Sequence, residues 1–402
     1  MQNEAGVVKI KVIGVGGGGS NAVNHMISVG VKSAEFIAAN TDMQALMTNK
    51  AQTRIQLGVN TCKGLGAGSD PAVGRAAAEE SANEIKEAIQ DANLLFITAG
   101  MGGGTGTGAA PVVAEIAQQL GILTIAFVTK PFESFEGKIR MTQACKGIEE
   151  LYKFADSVLV IPNEKISDYV PEGLPFIRAF EIADDVLRYA IQGIADIITI
   201  PSLINLDFSD IKKIMKNAGN SHIGIGRAKG DKRMVEAVKQ AALSPLIETS
   251  LLGATGIILH VAGGNSLALD EVKGAAALVQ NMVSPKCTII FGAGIDPELG
   301  EDVSVTIIAT GFKNGNGTMG SIFDRGAQIN GNAIPSVNPV VEPPKSPITP
   351  QTIAVEPPKP TIAQPIPAIN EEENIPSPRM RAVETDIPKF VSMLRDSDTE
   401  EN

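Results

Sequence analysis

Six glycines in the nine residues Gly100-Met-Gly-Gly-Gly-Thr-Gly-Thr-Gly108 constrain this chain more than any other segment. They follow the apolar run Asn93-Leu-Leu-Phe-Ile-Thr98 and lead into a helix-forming stretch. Backbone without β-carbons can turn tightly and bring N–H groups against a phosphate, and the helix start adds partial positive charge. A second such turn, Gly14-Val-Gly-Gly-Gly-Gly-Ser20, joins the strand Lys9–Gly14 to a helix predicted over 21–29. A merely tight turn rarely needs four consecutive glycines. Alone, this Gly-x-Gly-x-x-Gly pattern also fits a dinucleotide site, with Asp42 placed to read a ribose. Two phosphate loops, however, suit a nucleoside triphosphate held between two helix N-termini. Neither loop contains lysine and no Gly-x-x-x-x-Gly-Lys-Ser/Thr occurs, which excludes a P-loop enzyme. Charge neutralisation then falls to backbone dipoles and a bound cation, expected to be Mg²⁺.

Around these loops, apolar runs alternate with helical stretches from Val7 to about Phe312, the pattern of helices packed on a largely parallel sheet. Ile122–Val128 and Ser157–Ile161 read as further strands. Phe176–Thr199 reads as one long helix ending near Pro201, a spine between two halves. Beyond it, strands at Gly256–Ala262, Cys287–Phe291 and Val303–Ala309, with helices over 231–243 and 266–280, form a smaller α/β domain. From Lys313 the composition changes, and 13 of the 24 prolines fall between Pro335 and Pro378. Such a segment is expected to be a disordered linker. Pattern returns in Glu384–Arg395, where Phe390, Val391 and Leu394 share one helical face suited to a partner, or simply end a solvated tail. The expected division is thus 1–175, 176–202, 203–312, 313–383 and 384–402.

A net charge of −11 without a basic run argues against nucleic acid or an anionic membrane as direct partner. Cys62, Cys145 and Cys287 are too scattered for zinc or a redox dithiol, as are His25, His222 and His260 for a metal site or triad. No signal-like N-terminus and no apolar run of roughly 18 residues occurs, so a cytoplasmic protein without membrane insertion is expected.

The run Gly102–Gly108 resembles the signature of the tubulin/FtsZ family, and Gly14–Val23, Asn40-Thr-Asp42, Gly64-Leu-Gly-Ala-Gly68 and Pro131-Phe132 follow in the family's order. The resemblance implies a Rossmann-like GTPase domain, a second α/β domain and GTP as substrate, with Mg²⁺ held mainly by phosphates. The implied GTP contacts are Gly16, Gly17, Gly18, Gly19, Ser20 and Asn21, then Asn40, Ala67 and Gly68. Gly102, Gly103, Gly104, Thr105, Gly106, Thr107 and Gly108 complete the phosphate cup. Glu136 and Arg140, by spacing a surface ion pair, become ribose and nucleotide contacts by resemblance, with Glu133 a competing candidate. Asn163 and Asp185 become the guanine readers, an amide and a carboxylate able to meet the base's donors and carbonyl, with Asp184 as the alternative acid.

No group in this cup orients a hydrolytic water. Asn205-Leu-Asp-Phe-Ser-Asp210 opens the helix after the spine, and there Asp207 or Ser209 reads as an N-cap and Asp210 as a first-turn acid. The resemblance instead implies that Asn205, Asp207 and Asp210 enter the next subunit's site and act on its GTP. Hydrolysis would then occur only in a head-to-tail homopolymer, an open filament. It further implies a cytokinetic ring scaffold at the midcell division site, with Asp386–Arg395 docking membrane-anchoring and regulatory division proteins. His222 departs from the family pattern and reads as a packing or interface variation. Val391-Ser392 departs within the tail peptide.

Overall fold

The computed structural model describes residues 8–167, 176–199, 203–204, 206–243 and 251–312. The expected linker and tail peptide, with Asp386–Arg395, lie outside the described residues, as does Asn205.

The first half runs β1 (Ile10–Val15), α1 (Gly16–Ser28), β2 (Glu35–Asn40), α2 (Met43–Met47), β3 (Thr53–Gln56), α3 (Pro71–Glu80) and α4 (Ala82–Ile89). It continues through β4 (Leu94–Gly100), α5 (Thr105–Gln119), β5 (Leu123–Lys130), α6 (Glu133–Glu136), α7 (Lys138–Leu151), β6 (Ser157–Pro162) and α8 (Asn163–Ser167). The long helix α9 (Phe176–Thr199) follows, and then α10 (Phe208–Met215), β7 (Gly219–Ala228), α11 (Arg233–Ala242), β8 (Gly256–Gly263), α12 (Leu269–Met282), β9 (Thr288–Ile295) and β10 (Val303–Phe312).

These strands form one ten-stranded sheet in the order β3-β2-β1-β4-β5-β6-β7-β10-β8-β9. Pairing is parallel from β3 to β7 and antiparallel only where β10 lies between β7 and β8. Parallel strands are covered on both faces, which is why β1 and β4 read as unbroken apolar runs. Alternation sends Val12, Leu94 and Phe96 to one face with α1 and α9, and Ile13, Leu95 and Ile97 to the other with α3, α4, α5 and α7. In α9, Val186, Leu187, Ala190, Ile191 and Ile194 are buried against both β1–β4–β5 side chains and Ile223, Ile258 and Ile308 of the second half. A separate apolar cluster joins α11 and α12 to β8 and β10.

The order 3-2-1-4-5-6 of the first six strands reverses direction between β1 and β4. Ligands of open α/β sheets bind in the crevice at that reversal, beyond the carboxyl ends of the strands. Both glycine turns leave the sheet there.

Candidate active site

The expectation that the first glycine turn precedes its helix is corrected: α1 begins at Gly16, so the glycines form its first turn. Neither α1 nor α5 carries a side-chain N-cap; Val15 and Gly104 occupy the two cap positions. Of the neighbouring helices, α2 and α3 are capped by side chains. Asp42 accepts from the Gln44 and Ala45 amides at 2.8 and 3.3 Å to cap α2, and Asp70 accepts from Ala72 N–H at 2.9 Å to cap α3. The suggested ribose-reading role of Asp42 is thus replaced by a structural one. Two helices present unsatisfied N–H groups to one place, the arrangement that binds anions.

That place is a cavity of about 420 Å³, walled by Gly17, Gly18 and Asn21 of α1, by Gly100, Met101, Gly103, Gly104, Thr105 and Gly106, and by residues of β5, α6, α7, α8 and α9. A larger groove of about 860 Å³ lies at the opposite ends of β1 and β2, against Gln192, Asp196 and Thr199. It has no uncapped helix start and sits at the amino ends of the strands, so the smaller cavity is the candidate site.

The predicted glycines divide by what a β-carbon would meet. At Gly17 it would enter open space, and at Gly103 its nearest neighbour is an Arg140 nitrogen at 3.9 Å. At Gly19, Gly106 and Gly108 it would strike carbonyl oxygens of Thr98, Gly100 and Pro71 at 2.2, 2.4 and 2.0 Å. These three allow backbones to touch. Gly16, at φ +72°, needs both the left-handed conformation and the space beside Gly106 N. Thr105 Oγ1 lies 2.7 Å from Thr41 Oγ1, whereas Thr107 Oγ1 accepts the Gly102 N–H at 2.8 Å and braces the loop from behind. Ser20, Asn40, Ala67 and Gly68 do not line the cavity. Asn40 is buried and Ala67 packs behind Gly104.

At the other end, Asn163 Oδ1 is buried without a partner, an acceptor aimed at something the protein does not supply. Phe180 of α9 lies edge-on to Phe132, ring centroids 5.6 Å apart, and lines the same wall. Glu136 pairs with Arg140 at 2.9 Å and accepts the Phe132 N–H at 2.9 Å; both side chains line the cavity, and the exposed Glu133 does not.

The structure separates the two adjacent acids. Asp184, not Asp185, lines the cavity. Burial pushes the Asp184 carboxyl up to about 7, with Asp185 and Glu181 adding to the rise and His25 opposing it. Asp185 turns away to His25 Nε2 at 2.8 Å and Arg188 Nε at 3.2 Å. Burial raises its carboxyl too, but these partners outweigh it and hold it below the usual range. Phe180, Asp184 and Leu187 stand at i, i+4 and i+7, so one helix face makes the wall. That spacing was the available signal for Phe180 and Leu187, which sequence reasoning missed.

Asp207 and Asp210 are not in this cavity. From Asp184 to the end of α9 is roughly 22 Å of helix at 1.5 Å per residue, and both acids lie beyond it at the start of α10. Asp207 holds the N-cap position but makes no capping bond, and its side chain is exposed; Asp210 is half-buried in the first turn. Leu203 and Ile204 beside them are 74% and 47% exposed, an apolar rim around two acids. Among the described residues, no group of three or more His, Cys, Asp or Glu could hold a metal ion, and no helix is long and apolar enough to cross a membrane.

Residues 9–171 match the Tubulin/FtsZ family GTPase domain, and residues 219–313 the FtsZ family C-terminal domain. An empty FtsZ dimer from M. jannaschii is similar at 46% identity and TM-score 0.72, over 76% of this chain and 89% of that one. A GTPγS-bound protofilament of CetZ2 from Haloferax volcanii shares the fold at 18% identity and TM-score 0.64, over 75% of this chain and 92% of that one. With its phosphate-binding turns and cavity in place at the sheet reversal, the chain belongs to the tubulin/FtsZ family and is a GTPase.

Proposed function

We propose that the chain binds GTP in the cavity between α1 and α5 and hydrolyses it only where a second copy, stacked head to tail, supplies Asp207 and Asp210. The observation that carries this reading is the separation of parts: the cavity has phosphate donors and a base end but no water-orienting acid at the phosphates, while Asp207, exposed, and Asp210, half-buried, stand elsewhere. The N–H groups at the starts of α1 and α5 hold the phosphates and stabilise charge as the terminal bond breaks. Asn163 and Asp184 read guanine, and Glu136 and Arg140 face the sugar side. Bound Mg²⁺, held by phosphate oxygens, would neutralise part of the triphosphate charge. In the stacked pair, Asp207 and Asp210 polarise and orient the attacking water, with Asn205 beside them.

A contact between unlike faces does not close, so repetition gives a filament. The M. jannaschii relative is a dimer and the Haloferax one a protofilament, which supports self-association. We extend this to a scaffold for the division ring, divided at the boundaries given above, with Asp386–Arg395 as the docking peptide for membrane-anchoring partners.

Sedimentation with simultaneous phosphate release, comparing GTP, GDP and ATP, tests the reading. Turnover per subunit is expected to rise with protein concentration, and Asp210→Ala to bind GTP while losing about 10²–10⁴-fold in turnover. Turnover per subunit that stays flat down to monomeric dilution contradicts it.

A further inference from the structure

His25 has no place in the function so far, yet it ties the two sides of the cavity together. It lies on α1 one turn beyond Asn21, whose side chain lines the phosphate end. Its Nε2 sits 2.8 Å from Asp185 Oδ1 on α9, and Arg188 Nε reaches the same oxygen at 3.2 Å. Arg188 is itself fixed, donating to Gln192 Oε1 at 3.3 Å and lying 3.7 Å over the Tyr189 ring. Asp185 thus receives two cationic donors and turns away from the cavity, leaving Asp184 as the carboxylate on its wall. The charged groups acting on His25 are Asp185, Asp184 and Arg188; those acting on Asp184 are His25, Asp185 and Glu181. His25 is therefore the cation in a pocket where Asp184 otherwise meets two other acids.

We infer that His25 is a positioning residue for base recognition, clamping the phosphate-loop helix to the base-binding helix and supplying the cation that keeps Asp184 available as an acceptor. The inference rests on the proposed reading of guanine by Asp184 and Asn163. Guanine offers its ring N–H and amino group as donors, and only a deprotonated carboxylate accepts from both. Burial favours the protonated Asp184, and a protonated His25 opposes that. The hydrogen bond with Asp185 in turn holds His25 above the usual imidazole value, against the effect of burial. Nucleotide affinity should therefore fall as pH drops through neutrality and Asp184 takes a proton, and the pH at which it falls should depend on the charge carried at residue 25.

The test uses the full chain at monomeric dilution and a ribose-labelled fluorescent GDP, so that neither assembly nor hydrolysis intervenes, titrated from about pH 5.5 to about pH 9. Removing the cation stabilises protonated Asp184. His25→Gln should therefore move the acid limb up by about one pH unit and weaken binding about fivefold at neutral pH. His25→Arg keeps a permanent cation. It should restore the acid limb, a rescue that a role in packing alone does not predict. An acid limb unmoved in His25→Gln, or one that stays raised in His25→Arg, overturns the inference. If His25→Gln fails to fold by circular dichroism, the acid limb of His25→Arg decides alone: it should lie no higher than that of the unsubstituted chain. Asp184→Ala separates the two levels: unchanged GDP affinity there defeats the base-reading proposal, whereas a loss there with unmoved limbs in the His25 variants defeats only this inference.

Discussion

At the scale of single residues, hydrogen bonding decides roles that residue type leaves open. Glu80 shows this at the loop leading to Gly66 and Ala67. Its carboxylate accepts from the Asn60 N–H and Nδ2 at 2.8 Å each, and from the Thr61 N–H and Oγ1 at 3.0 and 2.6 Å. The Thr61 hydroxyl first, and then the backbone and side-chain donors, pull its carboxyl down to about 2 from 4.5. Because the folded value lies below the unfolded one, the stabilisation is complete above about pH 4.5 and is lost as pH falls through about 2. Glu80→Gln should therefore speed hydrogen exchange at the Asn60 and Thr61 amides near neutral pH while α5 keeps its protection; equal exchange in both proteins would refute the clamp. Asp184 and Asp185 make the same point from the side of legibility. Neighbouring helical residues point about 100° apart, and pattern alone did not choose between them; packing of α9 against α1 did.

Among elements, the uncapped starts of α1 and α5 stand out because both glycine turns meet at the cavity, whereas α2 and α3 beside them are capped. Glycine serves two ends here, and substitution separates them. Gly108→Ala places a β-carbon 2.0 Å from Pro71 O, where α3 crosses α5. It should destabilise the fold by about 1–3 kcal/mol or more, read by chemical denaturation. Gly17→Ala meets no atom within 4 Å. It should leave stability unchanged or raise it by up to about 1 kcal/mol, since alanine favours helix, and yet weaken GTP binding by titration. Loss of stability at Gly17 would mean that its space belongs to the fold rather than the ligand. Strand β7 illustrates what pattern concealed. Its sequence Gly-Asn-Ser-His-Ile-Gly-Ile-Gly-Arg-Ala reads as a turn-rich stretch, but β6 and β10 flank it, and Ser157 Oγ donates to Ser221 Oγ at 2.7 Å. Gly226 lets α11 approach, a β-carbon there falling 1.9 Å from Ala237 O. His222 of β7 packs edge-on against Phe312 of β10, ring centroids 4.7 Å apart.

Across the molecule, β6–β7 pairing carries the sheet from one half to the other, and α9 is buried against side chains of both. The cavity lies at one end of α9 and Asp207 and Asp210 beyond the other, so a single rigid chain does not bring them together. Mixing separates this from a sluggish but self-sufficient enzyme. A double variant, Asn163→Ala with Asp184→Ala, supplies intact acids without base recognition, and Asp210→Ala supplies the reverse. In pelleted polymer containing equal amounts of both, random stacking leaves about a quarter of contacts competent, and phosphate release should recover to about that fraction. Polymer that demonstrably holds both chains and stays inactive would exclude shared catalysis.

Sequence by itself determined the α/β class, the long helix and the two phosphate turns, because each is a local property: period, length, or absence of β-carbons. It also marked Asn163, Glu136 and Arg140 through the family resemblance, and all three line the cavity. Only the tertiary structure decided which glycines line the cavity and which merely permit contact, which of two adjacent acids lines it, and that His25 stands behind that acid. Those outcomes depend on distances between segments far apart in the chain, and such distances arise only when helices settle on the sheet.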